Sequence, residues 1–237
     1  LIAATARAMS ATRQAAMTAA FLHVGPDLEL PELLVASLKK AMPVTRVVQL
    51  SDVETARVPG VDDVVRRPWD HTNLMTFRLE HYAALPADAR YLLLDTDMIV
   101  QADVSSVFEL DPSFDVAMHK RETTIVVPPA WPDFPELLHQ DLAKIMPFNT
   151  GVIFARNARF WQVALESLRG LEARYHRWFG DQVAVRIAVE TGAFKVLELH
   201  PAFNFTPNTE GEDVSRAYVV HYKGPRKAWM IERHGRR

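Results

Sequence analysis

Two carboxylates and one imidazole occupy positions where a chain can do chemistry. Asp95 and Asp97 interrupt the apolar stretch YLLLDTDMIV (91–100), and His221 ends an apolar run in VVHYKGPRKAW (219–229), followed by Lys223, Gly224, Arg226 and Lys227. Spacing alone proves little, because the number of Asp residues in the chain gives about one Asp-x-Asp by chance, and one is what the sequence holds. Context adds more. Residues i and i+2 of an extended segment point to the same side. Two carboxylates so placed repel each other and resist burial. A hard divalent cation removes the conflict, since Mg²⁺ or Mn²⁺ takes one or two carboxylates and completes its shell with phosphates and water. The plainer reading, a solvated turn or a helix cap, weighs equally for this segment by itself. A neutral imidazole such as that of His221 is a good third ligand. Lys or Arg beside a glycine suits a diphosphate that must approach the backbone closely. A lone His is more commonly a hydrogen-bonded or surface residue, and a basic tail is more commonly just solvated. An acidic segment and a basic one, both at the ends of apolar strands, make the combination that a metal–diphosphate site requires.

The elements that must position these groups alternate through the first hundred residues. TAAFLHVG (18–25) reads as a buried strand, and LPELLVASLKKAMP (30–43) as a helix with Leu33, Leu34, Ser37, Leu38 and Ala41 on one face. VTRVVQL (44–50) is a β-branched strand and VDDVVRRPW a weaker one. TNLMTFRLEHYAAL (72–85) is a helix opened by a Thr or Asn cap, with Met75, Leu79, Tyr82 and Leu85 facing inward. The acid-bearing strand follows. Such alternation predicts a mostly parallel sheet flanked by helices, whose ligands sit outside the carboxyl ends of the strands. The second half is less regular. FDVAMHK (114–120) and FNTGVIFAR read as strands, and ARFWQVALESLRGLEAR reads as one long amphipathic helix. DQVAVRIAVETG is a helix stopped by Gly192, while FKVLEL and YVVHYKG are short strands. Between them RETTIVVPPAWPDFPELLHQDLAKIMP (121–147) carries five prolines and reads as a binding loop.

The chain has 237 residues, 49% of them apolar and 24% charged, enough for one large domain with a sizeable core. We expect a single α/β domain over residues 18–237, preceded by an Ala-rich, helical or frayed extension over 1–17. A net charge of −2 with balanced acids and bases points to no nucleic-acid partner. The absence of cysteine excludes disulfides and thiolate metal sites and is compatible with a reducing compartment. No apolar run approaches the roughly 20 residues of a membrane-spanning helix. The expectation is a cytoplasmic protein, able to associate peripherally with a membrane.

Four segments, in order, resemble a known family. FRLEHYAALPADARYLLLDTDMIV resembles an Arg-Leu helix followed by an Asp-x-Asp strand, and PFNTGVIFARNARFW resembles a Phe-Asn-Ser-Gly strand. GDQVAV resembles an Asp-Gln segment, and HYKGPRKAW a His-x-x-Gly-x-x-Lys-Pro-Trp ending. Together they are similar to the retaining glycosyltransferases of family eight, the group of glycogenin and the bacterial lipooligosaccharide galactosyltransferases, over about Ala19 to Trp229. The resemblance implies a GT-A (nucleotide-diphospho-sugar transferase) fold, a nucleoside-diphosphate sugar such as UDP-glucose or UDP-galactose as donor, and Mn²⁺ or Mg²⁺. It implies Asp95, Asp97 and His221 as metal ligands, Gly224 and Lys227 at the diphosphate, and Arg78 at the donor. Asn149, Asp181 and Gln182 match the donor-sugar and reaction-centre positions, and His23, Gly25 and Asp27 fall in the nucleoside loop. The acceptor, a glycan, lipid or small molecule, is not implied. The chain departs from the family in its first loop, GPDLELP, which lacks the tyrosine of Asp-x-Asn-Tyr. It also lacks the second Asp and the Asn that often follow Asp-Gln, and Ala228 replaces the usual proline.

Structural roles compete for several of these residues. Arg78 could be a solvated helix charge, Asn149 and Gly151 could shape a turn, and Asp181 could cap its helix. His200 reads as a structural loop residue, Trp131, Phe134, Trp178 and Phe179 as core or lid, and Arg121 with Glu122 as a surface pair. Three rivals share an acidic metal site. A sugar-phosphate nucleotidyltransferase usually has a Gly-rich basic loop after its first strand, absent from HVGPDLELP. A phosphatase using Asp-x-Asp places the motif on its first strand. A non-catalytic nucleotide-sugar-binding paralogue would have less reason to keep Asp95, Asp97, His221 and Lys227 together.

Overall fold

The apolar run that carries the acids is split in two. β4 (Arg90–Leu94) stops at Leu94, the acids form a short loop, and β5 (Met98–Val100) leaves in another sheet. Within β4, Leu92 and Leu94 belong to the apolar cluster on one face of the sheet with Phe21, Leu34 and Leu38. Leu93 and Tyr91 belong to the cluster on the other face, with Tyr82, Phe160 and Trp161. A strand buried on both faces accounts for the continuous apolar sequence. The computed structural model describes residues 17–87, 89–121, 134–137 and 140–235.

Around β4 lie β1 (Met17–Leu22), β2 (Arg46–Ser51), β3 (Asp63–Arg66), β6 (Val116–Lys120), β7 (Phe148–Ala155) and β8 (Val196–Glu198). These seven strands form one sheet in the order β3-β2-β1-β4-β7-β6-β8. All its pairings are parallel except those of β7, which runs against both neighbours. The helices are α1 (Glu29–Ala41), α2 (Leu74–Ala83), α3 (Val107–Leu110), α4 (Leu142–Ile145), α5 (Ala158–Arg169), α6 (Ala173–Arg177), α7 (Gly180–Glu190) and α8 (Lys227–His234). From β1 the chain winds to β3 on one side, then crosses to β4 on the other. That reversal opens a crevice at the carboxyl ends of β1 and β4. The last strand, β9 (Val219–His221), does not join the central sheet but pairs antiparallel with β5, so that Met98 faces His221.

The structure corrects several boundaries. β1 begins at Met17, so this residue is part of the sheet and not of the extension. The rest of that extension lies outside the described residues, as do Trp131, Glu122 and most of the Pro-rich loop. Neither Thr72 nor Asn73 caps α2 with its side chain; Asp70 Oδ1 instead accepts the N–H groups of Thr72 and Asn73 at 2.9 and 3.1 Å. The long helix expected through Arg174 ends at Arg169, where Gly170 closes it, and α6 starts afresh. Phe134 and Phe179 are buried together in a small apolar cluster, whereas Trp178 is 51% exposed. No helix among the described residues is long and apolar enough to cross a membrane.

Candidate active site

Backbone bonds from two sheets hold the acid loop. The Asp95 N–H donates to Gly151 O at 2.9 Å, and Asp97 O accepts the Tyr222 N–H at 2.8 Å. With Met98 opposite His221, the imidazole arrives beside the acids: His221 Nε2 lies 3.3 Å from Asp97 Oδ1 and 3.8 Å from Asp95 Oδ2. One ligand atom from each of the three residues falls within 4.8 Å of the others. Gly151 makes this approach possible, for a Cβ there would stand 2.5 Å from both His221 Cε1 and Met98 Cε.

Asn204 orients the ring. Its Oδ1 is 3.0 Å from His221 Nδ1, and its Nδ2 donates to Asn149 O at 3.4 Å. Since the amide nitrogen is spent on a carbonyl, Oδ1 accepts from Nδ1–H, and Nε2 turns its lone pair toward Asp97. Asp97 Oδ1 is buried without a hydrogen-bond donor among the described residues. Three electron-rich atoms thus crowd together with no proton assigned between them, an arrangement that fits a bound cation and, failing that, a protonated imidazole. Burial alone would raise the Asp97 carboxyl, but with the imidazole protonated its hydrogen bond and charge, together with Lys227, outweigh burial and hold the carboxyl down to about 2. Lys227, first residue of α8, places Nζ 3.6 Å from Asp97 Oδ2.

Arg78 ties this cluster to the next. It is buried on α2, with Nη2 at 2.5 Å from Asp95 Oδ1 and 3.1 Å from Thr150 O. Its Nη1 reaches Asp181 Oδ2 at 3.1 Å, and Nε donates to Tyr82 Oη at 3.1 Å. Burial opposes its charge, yet Asp95, Tyr82 and Asp181 together raise its pKa above the ordinary value. Arg78 is therefore no solvated helix charge. For Asp95 burial prevails, and the carboxyl is raised despite Arg78. Asp181 also accepts from Thr150 Oγ1 at 3.3 Å. It sits in the first turn of α7 without capping it; the preceding residue pair is Phe179 at φ 63 and Gly180, which packs against the Tyr175 carbonyl with no room for a Cβ. A bulky residue in the left-handed region is strained, and here it sets the start of the helix that carries Asp181 and Gln182.

Gln182 brings in a residue that sequence placed on the surface. Arg121, just past β6, turns inward: Nη2 lies 2.5 Å from Gln182 Oε1, and Nη1 donates to Phe148 O at 2.6 Å and to Met146 O. Burial lowers its pKa to about 10, partly offset by Asp181. Between β6 and β7 the register shifts at Met118/His119, next to Asn149. Asn149 is buried with Oδ1 accepting the Gly151 N–H at 3.1 Å, so its side chain shapes the turn that presents Gly151. Lys223 is pushed down to about 8 by burial and by Arg121 and Arg226. Gly224 has φ 65 and open space where a side chain would stand.

His23, Gly25 and Asp27 form a separate group after β1, bonded to neighbours other than the acids. His23 donates its N–H to Leu50 O at 3.0 Å, and its buried Nε2 has no partner among the described residues. Burial lowers the His23 pKa. Gly25, at φ 106, donates to Thr55 Oγ1 at 2.8 Å. Asp27 is exposed and accepts the Glu29 N–H at 3.0 Å, opening α1. The sequence reading passed over Asn204, Thr150 and the inward turn of Arg121. Tyr82 it saw only as apolar, yet the hydroxyl bonds Arg78. His200 stays outside the cluster, accepting the Ala202 N–H at 3.2 Å.

Comparison with known proteins bears on the fold and the family. The structure of a glycosyltransferase involved in the glycosylation of the major capsid of PBCV-1 aligns with a TM-score of 0.59 at 16% identity, over 92% of this chain and 98% of that one. The bifunctional glycosyltransferase WbbM aligns at 0.58 and 15% identity, over 93% of this chain, which spans 50% of its length. The galactosyltransferase LgtC, solved with donor and acceptor sugar analogs, aligns at 0.52 and 17%, over 88% of each chain. At such identities the likeness speaks for the GT-A fold alone. No curated protein sequence matches the chain. The profile of glycosyl transferase family 8, however, matches residues 28–232. A match of that extent decides against the nucleotidyltransferase and phosphatase rivals: the chain belongs to glycosyl transferase family 8 and is a glycosyltransferase of GT-A fold.

Proposed function

We propose that the protein transfers a hexose from UDP-glucose or UDP-galactose to a hydroxyl of a glycan, lipid or small-molecule acceptor, with retention at the anomeric carbon and with Mn²⁺ or Mg²⁺ bound. The observation that carries this reading is the convergence of Asp95, Asp97 and His221 within 4.8 Å, with a buried carboxylate oxygen lacking any donor among the described residues. These three residues would hold the cation, which supplies Lewis-acid neutralisation of charge on the leaving diphosphate. Lys227 adds fixed positive charge there, and the open, positive-φ backbone at Gly224 lets phosphate oxygens come close. His23, Gly25 and Asp27 would line the nucleoside, with the unpartnered His23 Nε2 available to it.

Arg78 then acts as a buried clamp that keeps Asp95 and Asp181 in register. Asp181 spends Oδ2 on Arg78 and Thr150, and its second oxygen is left for a sugar hydroxyl. Gln182 keeps Oε1 against the Arg121 guanidinium, so its amide N–H₂ is the end available to the sugar, and an oxygen so engaged is a poor nucleophile. This favours front-face substitution. The acceptor oxygen bonds to the anomeric carbon on the face from which the diphosphate departs with the electron pair of the broken C–O bond. The acceptor proton passes to a diphosphate oxygen. A cytoplasmic location, with peripheral membrane contact, completes the reading and is compatible with the lack of cysteine.

The test is turnover of UDP-glucose and UDP-galactose with Mn²⁺ in wild type and Asp97→Asn. We expect the variant to lose at least about 10²–10³ in rate, the usual cost of removing a major electrostatic contribution. Undiminished turnover in Asp97→Asn overturns the metal site. A covalent glycosyl-enzyme trapped on Asp181, or on a Gln182→Glu variant, overturns front-face attack.

A further inference from the structure

The groups along one edge of the sheet, the carboxyl ends of its parallel strands and the amino end of β7, follow a spatial sequence. The nucleoside group follows β1, the acid loop follows β4, and the turn presenting Asn149 and Gly151 lies on β7, beside the Asp181–Gln182 helix. The next strand outward, β6, ends at Lys120, just before Arg121. A donor laid from nucleoside to diphosphate to hexose along this edge leaves the Arg121 side for the acceptor.

Charge distinguishes that side from the rest. Arg78 pairs with Asp95 and Asp181, and Lys227 with Asp97, all within 4 Å. Arg121 and Lys223 have no carboxylate within 4 Å among the described residues. Among the described residues Arg121 bonds neutral oxygens only, those of Met146, Phe148 and Gln182, and it is half-buried, so that water compensates its charge less than at an open surface. Lys223 lies within electrostatic reach of Arg121, Arg226 and, more weakly, Asp97, and Arg121 within that of Asp181. A donor diphosphate carries two negative charges, which a divalent cation matches. The three acids of the cluster match Arg78, Lys227 and one further cation, so one positive charge is left over, next to Gln182.

Resting on the proposed donor reading, we propose that Arg121, with Lys223 adding to the local positive potential, forms an anion subsite for the acceptor, which is a saccharide bearing a phosphate or carboxylate near the hydroxyl that receives the hexose. Nη1 and Nη2 of Arg121 bond protein oxygens, while Nε has no hydrogen-bond partner among the described residues; a guanidinium binds phosphate and carboxylate in preference to neutral hydroxyls. Because the same guanidinium holds Gln182, acceptor charge and reaction centre share one support. In the transfer itself the acceptor hydroxyl gains the hexose and loses its proton to the diphosphate, and the anionic group is unchanged.

The experiment uses the whole chain loaded with Mn²⁺ and UDP, first checked by calorimetry, then titrated with glucose, glucuronate and glucose 6-phosphate as probes. We expect at least one anionic sugar to bind tenfold or more tightly than glucose, the two arms separating carboxylate from phosphate. Arg121→Gln should abolish that preference while UDP–Mn²⁺ still binds, Arg121→Lys should keep part of it, and Lys223→Met should weaken it. These outcomes do not depend on folding of one variant, because loaded wild type alone must show the preference. Equal affinity for all three sugars in wild type, or an unchanged preference in Arg121→Gln, overturns the subsite and leaves the donor reading standing. Failure of UDP–Mn²⁺ to bind overturns both.

Discussion

Gly151 concentrates the geometry of the centre into one hydrogen atom, and Gly151→Ala puts it to the test. The added methyl would lie 2.5 Å from His221 Cε1, 2.8 Å from Nδ1 and 2.5 Å from Met98 Cε. Carbon–carbon contacts are comfortable at about 3.5–4.0 Å, so something must retreat by roughly 1 Å. The Met98 methyl ends a flexible side chain and can swing aside. The His221 ring cannot, because Asn204 holds Nδ1 and its backbone is paired with Met98. Nor can Gly151 itself withdraw, since its N–H is bonded to Asn149 Oδ1 and its carbonyl to Asp95 N–H. Overpacking of this kind costs about 1–3 kcal/mol, which for a domain of this size lowers the melting temperature by roughly 2–4 °C per kcal/mol. The larger effect falls on the metal, because ligand distances tolerate only about ±0.2 Å. We expect the Mn²⁺ concentration for half-maximal protection in a thermal-shift titration to rise about 10–100-fold. A Gly151→Ala variant with the wild-type melting temperature and unaltered Mn²⁺ dependence would refute the placement of His221 against Gly151.

Other expectations follow from single contacts. Asn204→Leu removes the acceptor at His221 Nδ1 and should weaken Mn²⁺ about 10–100-fold, whereas Asn204→Asp, which still accepts from Nδ1–H, should retain most of the affinity; calorimetric titration compares them. Arg78→Met strands Asp95, Asp181 and the Thr150 carbonyl without their cation, and urea unfolding should show a loss of about 3–5 kcal/mol. His81 is 2% exposed, and burial, helped by Arg67, lowers its pKa from 6.5 to about 4. Between those values only the unfolded chain takes up the proton, so stability should fall by up to about 2–3 kcal/mol as pH drops through that window. His81→Leu should flatten that dependence, which unfolding curves of wild type and variant recorded at pH 7 and pH 4.5 would reveal.

The paired acids and His221 were legible before any fold because each ends an apolar run. Burying an uncompensated charge costs several kcal/mol, so charge at such a boundary marks either a solvated edge or a site, and two boundaries of opposite character favoured the site. Arg78 and Asp181 were harder: helix position allowed Arg78 a solvated role and Asp181 a capping one, and only the bonds of Arg78 to both Asp95 and Asp181 bring them into one cluster. The pairing of β5 with β9 was not legible, since both are three-residue strands far apart in sequence and periodicity carries no register over that span. The reversed direction of β7 escaped for a related reason, as a strand buried at all eight positions reads the same either way along the sheet.

Asn204, Thr150 and Arg121 show a different limit. Asn204 and Thr150 are neutral, and a neutral amide or hydroxyl leaves no mark in a sequence, because it is as acceptable in a loop as beside a metal ligand. Arg121 does carry charge, yet it stands at the entrance of a Pro-rich segment, where a solvated arginine is the ordinary case. What brings it inside is a pair of backbone carbonyls, Met146 and Phe148, that only the return of the chain into β7 supplies. Backbone oxygens are the same in every sequence. A cation solvated by them is invisible until the fold is known. The residues least legible in this chain are thus those whose partners come from the fold, and Arg121 is the one among them that carries a charge and has no carboxylate within 4 Å among the described residues.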